Sequence, residues 1–171
     1  MKTLFLVRHA KSSWDHPGLS DFERPLAPRG ERAAPRLATF MKTEGLVPAI
    51  VLCSTARRAR ETWALMEEAL GESAQVTFLD SLYGAGPGRM LEAALTYADE
   101  RSPVMLVGHN PGMEDLAHAL AGSGPETELA TLREKYPTAG LAVIDLDVDS
   151  WSDVRPGAGV LRRFVRPRDL S

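Results

Sequence analysis

His9 and His109 stand in two near-copies of one local design, LFLVRHA and VMLVGHN, an apolar strand-forming run that ends on a histidine where the chain leaves a sheet. In an open α/β sheet, ligands bind beyond the carboxyl ends of the strands, so two histidines at separate strand ends are expected to converge on one crevice. Arg8 puts a fixed cation beside the first of them. Arginine's planar fork matches phosphate geometry, which points to phosphoryl chemistry. The same logic recurs at Ser54-Thr55-Ala56-Arg57. Here a strand ends at Cys53, Ser54 or Thr55 is expected to cap the next helix, and Arg57 falls in its first turn, where free N–H groups and the helix dipole favour an anion. Arg57 is therefore expected to face the crevice, with Arg58 and Arg60 on the solvated side of the helix.

Elements at the right places are needed to position these groups. Strand-like runs near residues 2–8, 49–53, 75–79 and 103–107 alternate with helical patterns over Arg29 to Lys42, Thr55 to Leu70, Gly88 to Asp99 and Met113 to Ala121. That alternation predicts βαβ units and a mostly parallel sheet. In the second helix, Ala59, Trp63, Met66 and Leu70 form one apolar stripe, and Gly71 is a stop signal. Glu126 to Lys135 is expected to be a short exposed helix. Leu141 to Leu146 and Val160 to Val165 have no helix between them, so they are expected to pair antiparallel. The expected architecture is an α/β/α sandwich of three layers, in one domain over residues 1–171. Its mostly parallel central sheet would carry an antiparallel C-terminal strand pair.

The segment from His9 to Gly30, broken by Pro17, Gly18, Pro25 and Pro28, is too long for an ordinary connection. Its place over the end of the first strand predicts a wall of the substrate pocket, with Ser12 and Arg24 as candidate substrate contacts. Composition narrows the function. A 171-residue chain with 44% hydrophobic residues can bury a real core, and a net charge of -3 argues against a nucleic-acid footprint. One cysteine excludes an internal disulfide framework, no apolar run is long enough for a membrane span, and no signal-peptide pattern precedes the first strand. A cytoplasmic home is expected.

Three stretches, Arg8-His9-Ala10, the run from Ser54 to Thr62 (STARRARET) and Gly108-His109-Asn110-Pro111-Gly112, resemble in order and spacing the signatures of the histidine phosphatase superfamily. Arg24-Pro25-Leu26, Arg29-Gly30 and the absence of a large cap insertion make the chain similar to the small SixA-like phosphohistidine phosphatases. The resemblance implies a phosphoglycerate mutase-like fold and a cofactor-free, metal-free phosphatase. In it, neutral His9 attacks phosphorus and forms a phosphohistidine intermediate. The other ring nitrogen of His9 would be held by an acceptor, such as a backbone carbonyl just after it. Arg8, Arg57 and His109 would surround the phosphoryl oxygens, so that positioning and electrostatics do most of the work.

The leaving-group acid has the weakest signal. Relatives carry a glutamate after the third strand or an aspartate after the second histidine, whereas this chain has Asn110 there; Asp80 is the nearest match, with Asp15 and Glu23 behind it. A missing acid favours phosphohistidine, whose nitrogen can be protonated before cleavage, over alkyl phosphates. The partner is thus expected to be a phosphorylated protein, with a small phosphorylated molecule left open.

Blander alternatives stand beside these assignments. A lone strand-end histidine is usually a structural hydrogen-bonding residue, and His16 and His118 are assigned so. Glu114 and His118 are four apart, which suits a surface contact more than a metal site. A cysteine-dependent phosphatase would need an arginine six residues after Cys53, where Ala59 stands. A catalytically silent phosphopeptide-binding module would use the same arginines.

Overall fold

The inner strands carry apolar side chains at nearly every position, so both faces of their sheet must be covered. The computed structural model describes residues 1–71 and 74–170 and shows how this is done. Among the described residues there are seven strands: β1 (Lys2–Arg8), β2 (Ile50–Ser54), β3 (Gln75–Leu79), β4 (Val104–Gly108), β5 (Ala121–Ser123), β6 (Leu141–Leu146) and β7 (Gly159–Val165). The helices are α1 (Pro28–Thr43), α2 (Arg57–Leu70), α3 (Pro87–Tyr97), α4 (Gly112–Leu120) and α5 (Glu126–Glu134). The strands form one sheet in the order β3-β2-β4-β1-β6-β7-β5. β1 to β4 are parallel, and β6 runs antiparallel to both β1 and β7.

Side-chain alternation along each strand divides the core in two. Phe5, Val7, Val51, Cys53, Met105 and Val107 pack under α1 and α2, against Leu37, Met41, Trp63 and Met66. Leu4, Leu6, Ile50, Leu52, Val104 and Leu106 face the other way, toward Met90, Met113, Leu116 and Leu132 of α3, α4 and α5. The result is the expected sandwich of three layers. The sequence left one detail open, and one differs from expectation. The C-terminal pair sits inside the sheet through β6, next to β1. The fourth helix stops at Leu120, and the next residues form the short edge strand β5, parallel to β7. Gly122 carries no strand propensity, but a Cβ there would lie 1.8 Å from the Gly157 carbonyl oxygen, so only a glycine permits this close approach.

The long loop is folded back on itself. Ser12 bridges Leu26 antiparallel, Ser13 N–H donates to the Pro25 carbonyl at 2.8 Å, and Ala27 N–H donates to the Lys11 carbonyl at 2.9 Å. Gly30 makes this closure possible, because a Cβ on it would fall 2.2 Å from the Lys11 carbonyl oxygen and 2.8 Å from its nitrogen. Gly30→Ala would gain up to about 1 kcal/mol of helix propensity. Overpacking against rigid backbone costs about 1–3 kcal/mol and outweighs that gain. A net fall in Tm, at roughly 2–4 °C per kcal/mol for a chain of this size, is expected for Gly30→Ala in calorimetry. Gly18→Ala, with nothing within 4 Å of its Cβ, should leave Tm unchanged or slightly raised.

Candidate active site

Strand register creates the site. β1 and β4 pair with Arg8 opposite Gly108, and His9 N–H donates to the Gly108 carbonyl at 2.9 Å. The residues that follow are the two histidines, whose rings lie 5.2 Å apart between centroids. β2 flanks β4 on its other side with Cys53 opposite Val107, which brings Ser54 to His109; Ser54 Oγ and His109 Nε2 are 2.7 Å apart. Three strand ends therefore meet in one crevice.

Each imidazole is oriented and dry. His9 Nδ1 lies 2.8 Å from the Ala10 carbonyl oxygen. A carbonyl only accepts, so Nδ1 carries the proton and the Nε2 lone pair is free. Burial, opposed by that hydrogen bond and reinforced by His109, Arg58 and Arg8, pulls the His9 pKa from 6.5 to about 3. Burial, with Arg58 and Arg8, pulls His109 to about 4, against an opposing pull from Asp21. Ser54 Oγ accepts from Ala56 N–H at 3.3 Å and its hydroxyl proton is free to go to His109 Nε2; in that tautomer the ring proton of His109 sits on Nδ1.

Arg8 donates from Nη1 to the Tyr136 carbonyl at 2.8 Å; burial lowers its pKa and nearby Glu114 raises it. The second guanidinium belongs to Arg58, which corrects the expectation for Arg57. Arg57 points away from the histidines, its Nε bonded to Glu61 at 2.9 Å and its side chain 40% exposed. Arg58 is 6% exposed and bears on both imidazoles. The cause is helix phase. α2 begins at Arg57, with Ala56 as its cap and no side-chain cap bond, so Ser54 and Thr55 lie before it. Arg58 then shares the buried stripe of Ala59, Thr62, Trp63 and Met66, while Arg57 shares the Glu61 side. Thr62 Oγ1 accepts from Ala10 N–H at 3.0 Å and donates to the Arg58 carbonyl at 2.7 Å, tying helix to loop.

The sequence gives no sign of Asp21, yet its carboxylate lies at the centre of the loop's grip on the site. It accepts from the Tyr83 hydroxyl at 2.5 Å, from Arg58 Nη2 at 3.0 Å and from Arg24 Nε at 3.2 Å. Those bonds, led by Tyr83, hold its pKa at about 2. Tyr83 in turn packs edge-on against the His109 ring. Arg24, expected as a substrate contact, is instead occupied within the loop. It bonds Asp21 and the Ser13 carbonyl, and its guanidinium stacks 3.5 Å from the Trp14 ring centroid. Ser12 is buried beside Leu26. Asp80, at the start of a short turn after β3, accepts from the Thr55 hydroxyl at 2.6 Å and makes no hydrogen bond to either histidine. Asp15 and Glu23 are exposed. Asn110 Oδ1 accepts from Glu114 N–H at 3.1 Å and so closes the first turn of α4. His118 lies 3.9 Å from Glu114, the surface contact expected of it. No group of three or more His, Cys, Asp or Glu residues is clustered to hold a metal among the described residues. Cys53 is fully buried, and burial raises its pKa.

Three buried side-chain nitrogens have no hydrogen-bond partner among the described residues: Arg8 Nε, Arg58 Nε and His109 Nδ1. All three belong to residues that bear on His9; the two guanidinium nitrogens donate, and His109 Nδ1 does so in its Nδ1–H tautomer.

Residues 4–103 match the histidine phosphatase superfamily (branch 1), and the chain belongs to that superfamily of phosphatases. An uncharacterised protein of Mycobacterium tuberculosis (strain H37Rv) is 40% identical over 166 residues, covering 95% of this chain and 100% of that protein. The crystal structure of a candidate phosphohistidine phosphatase SixA from Agrobacterium tumefaciens superposes with a TM-score of 0.81 and 32% identity, over 97% of this chain and 98% of that one. A candidate SixA of the same kind from Nakamurella multipartitia gives 0.78 and 31%, over 97% and 96%. The fold is phosphoglycerate mutase-like, of the SixA-like branch. No helix among the described residues is long and apolar enough to cross a membrane.

Both imidazoles titrate lower in the folded chain than in the unfolded one. Between pH 6.5 and about 4 the unfolded chain therefore binds more protons, and stability falls as pH falls through that window. Below it, Asp21 adds its own loss as pH drops from 3.8 toward about 2. A plot of Tm against pH should slope downward from pH 7 to 4, and the double variant His9→Gln/His109→Gln should flatten that slope. Imidazole NMR should find the His9 and His109 rings neutral at pH 5.5; either of these two rings titrating near 6.5 would refute the assignment.

Proposed function

We propose that the protein is a phosphohistidine phosphatase that works through a phosphohistidine intermediate on His9. The observation that carries this is the trio of unpartnered buried donors, Arg8 Nε, Arg58 Nε and His109 Nδ1, around an imidazole whose Nε2 lone pair is free. Buried polar groups are nearly always satisfied, so such a trio is a mould for an anion. In this reading the phosphoryl oxygens take those donors and the phosphorus faces His9 Nε2.

In the first step the Nε2–P bond forms as the substrate P–N bond breaks, and the departing imidazole leaves with the proton its nitrogen has taken from solvent. In the second, water attacks phosphorus, the P–Nε2 bond breaks and inorganic phosphate departs, one water proton passing to solvent. The negative charge on the transferring phosphoryl group is balanced by Arg8 and Arg58, so the proposal needs no metal. Leaving-group chemistry favours a phosphoramidate. Asp21, the carboxylate bonded to Arg58, is held ionised and has no proton to give, and Asp80 is engaged with Thr55. The similarity to two structures named as candidate phosphohistidine phosphatases supports the same substrate class. The single buried cysteine suits the reducing cytoplasm.

Turnover of phosphoramidate, a phosphohistidine peptide, an aryl phosphate and a sugar phosphate tests the assignment. The first three should exceed the sugar phosphate in kcat/KM by about 100- to 10,000-fold, the range that general acid catalysis contributes. Activity should survive EDTA, His9→Ala should abolish it, and mass spectrometry of quenched wild-type enzyme should find phosphate on His9. Arg58→Ala should cost about 100- to 1,000-fold in kcat, the usual effect of losing one preorganised donor. Arg57→Ala should cost less than tenfold. Efficient cleavage of the sugar phosphate, abolished by Asp80→Asn, would make the protein a metabolite phosphatase. Phosphate binding without turnover of any substrate would make it a binding module.

A further inference from the structure

Helix α1 presents Arg29, Arg32 and Arg36 on one exposed face, at spacings of three and four that align side chains along a helix. Lys11 of the loop and Arg168 of the C-terminal turn join them, and together with Thr138 they line a cleft of about 270 Å³ that no carboxylate lines. None of these five exposed cations belongs to an ion pair among the described residues. Elsewhere on the same surface, arginines are matched: Arg133 with Glu126, Arg162 with Asp145, Arg163 with Glu44 and Arg166 with Asp169. A chain of net charge -3 thus concentrates unmatched positive charge on one face.

That face adjoins the crevice. Lys11 follows Ala10, whose carbonyl orients His9. Thr138 precedes Ala139, whose N–H lies 3.0 and 3.1 Å from the carbonyl oxygens of Arg8 and His9. A macromolecule presenting a phosphoryl group to His9 would lay its neighbouring surface along α1.

We infer that this basic cleft docks an acidic segment of the phosphoprotein substrate, so that carboxylates flanking the phosphorylated histidine select which protein is dephosphorylated. The inference rests on the phosphohistidine reading above and adds the substrate's chemical class. Charge complementarity identifies the occupant. The cleft has no aromatic side chain on which nucleic-acid bases would stack, which favours a peptide over a single strand. Exposed charges act weakly one by one, but several of one sign steer association and bias partner choice.

Two phosphohistidine peptides of identical core, one flanked by Asp and Glu and the other by Asn and Gln, test this. The wild type should show a KM roughly tenfold lower for the acidic peptide, with kcat alike and the preference fading at 0.5 M salt. The triple variant Arg29→Ala/Arg32→Ala/Arg36→Ala should treat both peptides equally and still hydrolyse phosphoramidate at the wild-type rate. Fluorescence anisotropy with the unphosphorylated acidic peptide decides the docking without turnover, since it should bind the wild type and not the variant. Equal KM values with no peptide binding, or a preference that persists in the variant, would overturn the inference. Tighter binding of a single-stranded oligonucleotide of equal charge would reassign the face to nucleic acid. Failure of the phosphohistidine reading would show separately, as loss of phosphoramidate hydrolysis with peptide binding intact.

Discussion

The pairing of β1 with β4 is the interaction on which the rest depends. With Arg8 opposite Gly108, the next residue of each strand is a histidine, and the ladder delivers both rings to the same rim. Slipping the register by one residue would turn one side chain to the other face of the sheet. Because both faces are apolar, hydrophobic patterning alone does not oppose such a slip. The Met113 methyl does contribute, since it would lie 3.2 Å from a Cβ at Gly108 and so holds that position to a glycine or a displaced neighbour. Shape, rather than polarity, locks the site's geometry.

Around that rim the electrostatics are poised. Two guanidiniums and two imidazoles crowd a dry region, and desolvation strips the proton charge from the imidazoles while the guanidiniums keep theirs. Asp21 balances Arg58 from the loop, and Glu114 together with the Tyr136 carbonyl balances Arg8 from the other layer. Unmatched buried charge is costly. The stability for it comes from the two apolar cores, so the binding groups are prepared before any ligand arrives.

Much of this was legible in the chain. The histidines announce themselves because a strand-ending apolar run is a local pattern, and its consequence in an α/β sheet is general. The arginine was harder. Starting α2 at Thr55 turns Arg57 inward, whereas Arg58 and Thr62, four apart and in line with Trp63 and Met66, carry the phase that the apolar stripe already specified. Asp21, Tyr83 and Tyr136 had no such signal. Each reaches the site through a fold-back or crossover: Asp21 meets Arg58 across 37 residues, Tyr83 meets Asp21 across 62 and Tyr136 meets Arg8 across 128. β5 was hidden for another reason: its residues are chosen for smallness, and smallness leaves no periodic trace.

The loop over the crevice is held at both ends but not in its middle. Lys11 to Ser13 are laddered to Pro25 to Ala27, and Asp21 is clamped by Arg58. From Trp14 to Ser20 every residue is exposed, and a Cβ at Gly18 would touch nothing. Lengthening a loop costs only about 0.6 kcal/mol per doubling. Additional residues inserted there would spread over the crevice without disturbing the ladder or the clamp. The fold therefore carries a place where an enclosing lid can be grown by gene insertion, separating the evolution of selectivity from the evolution of chemistry.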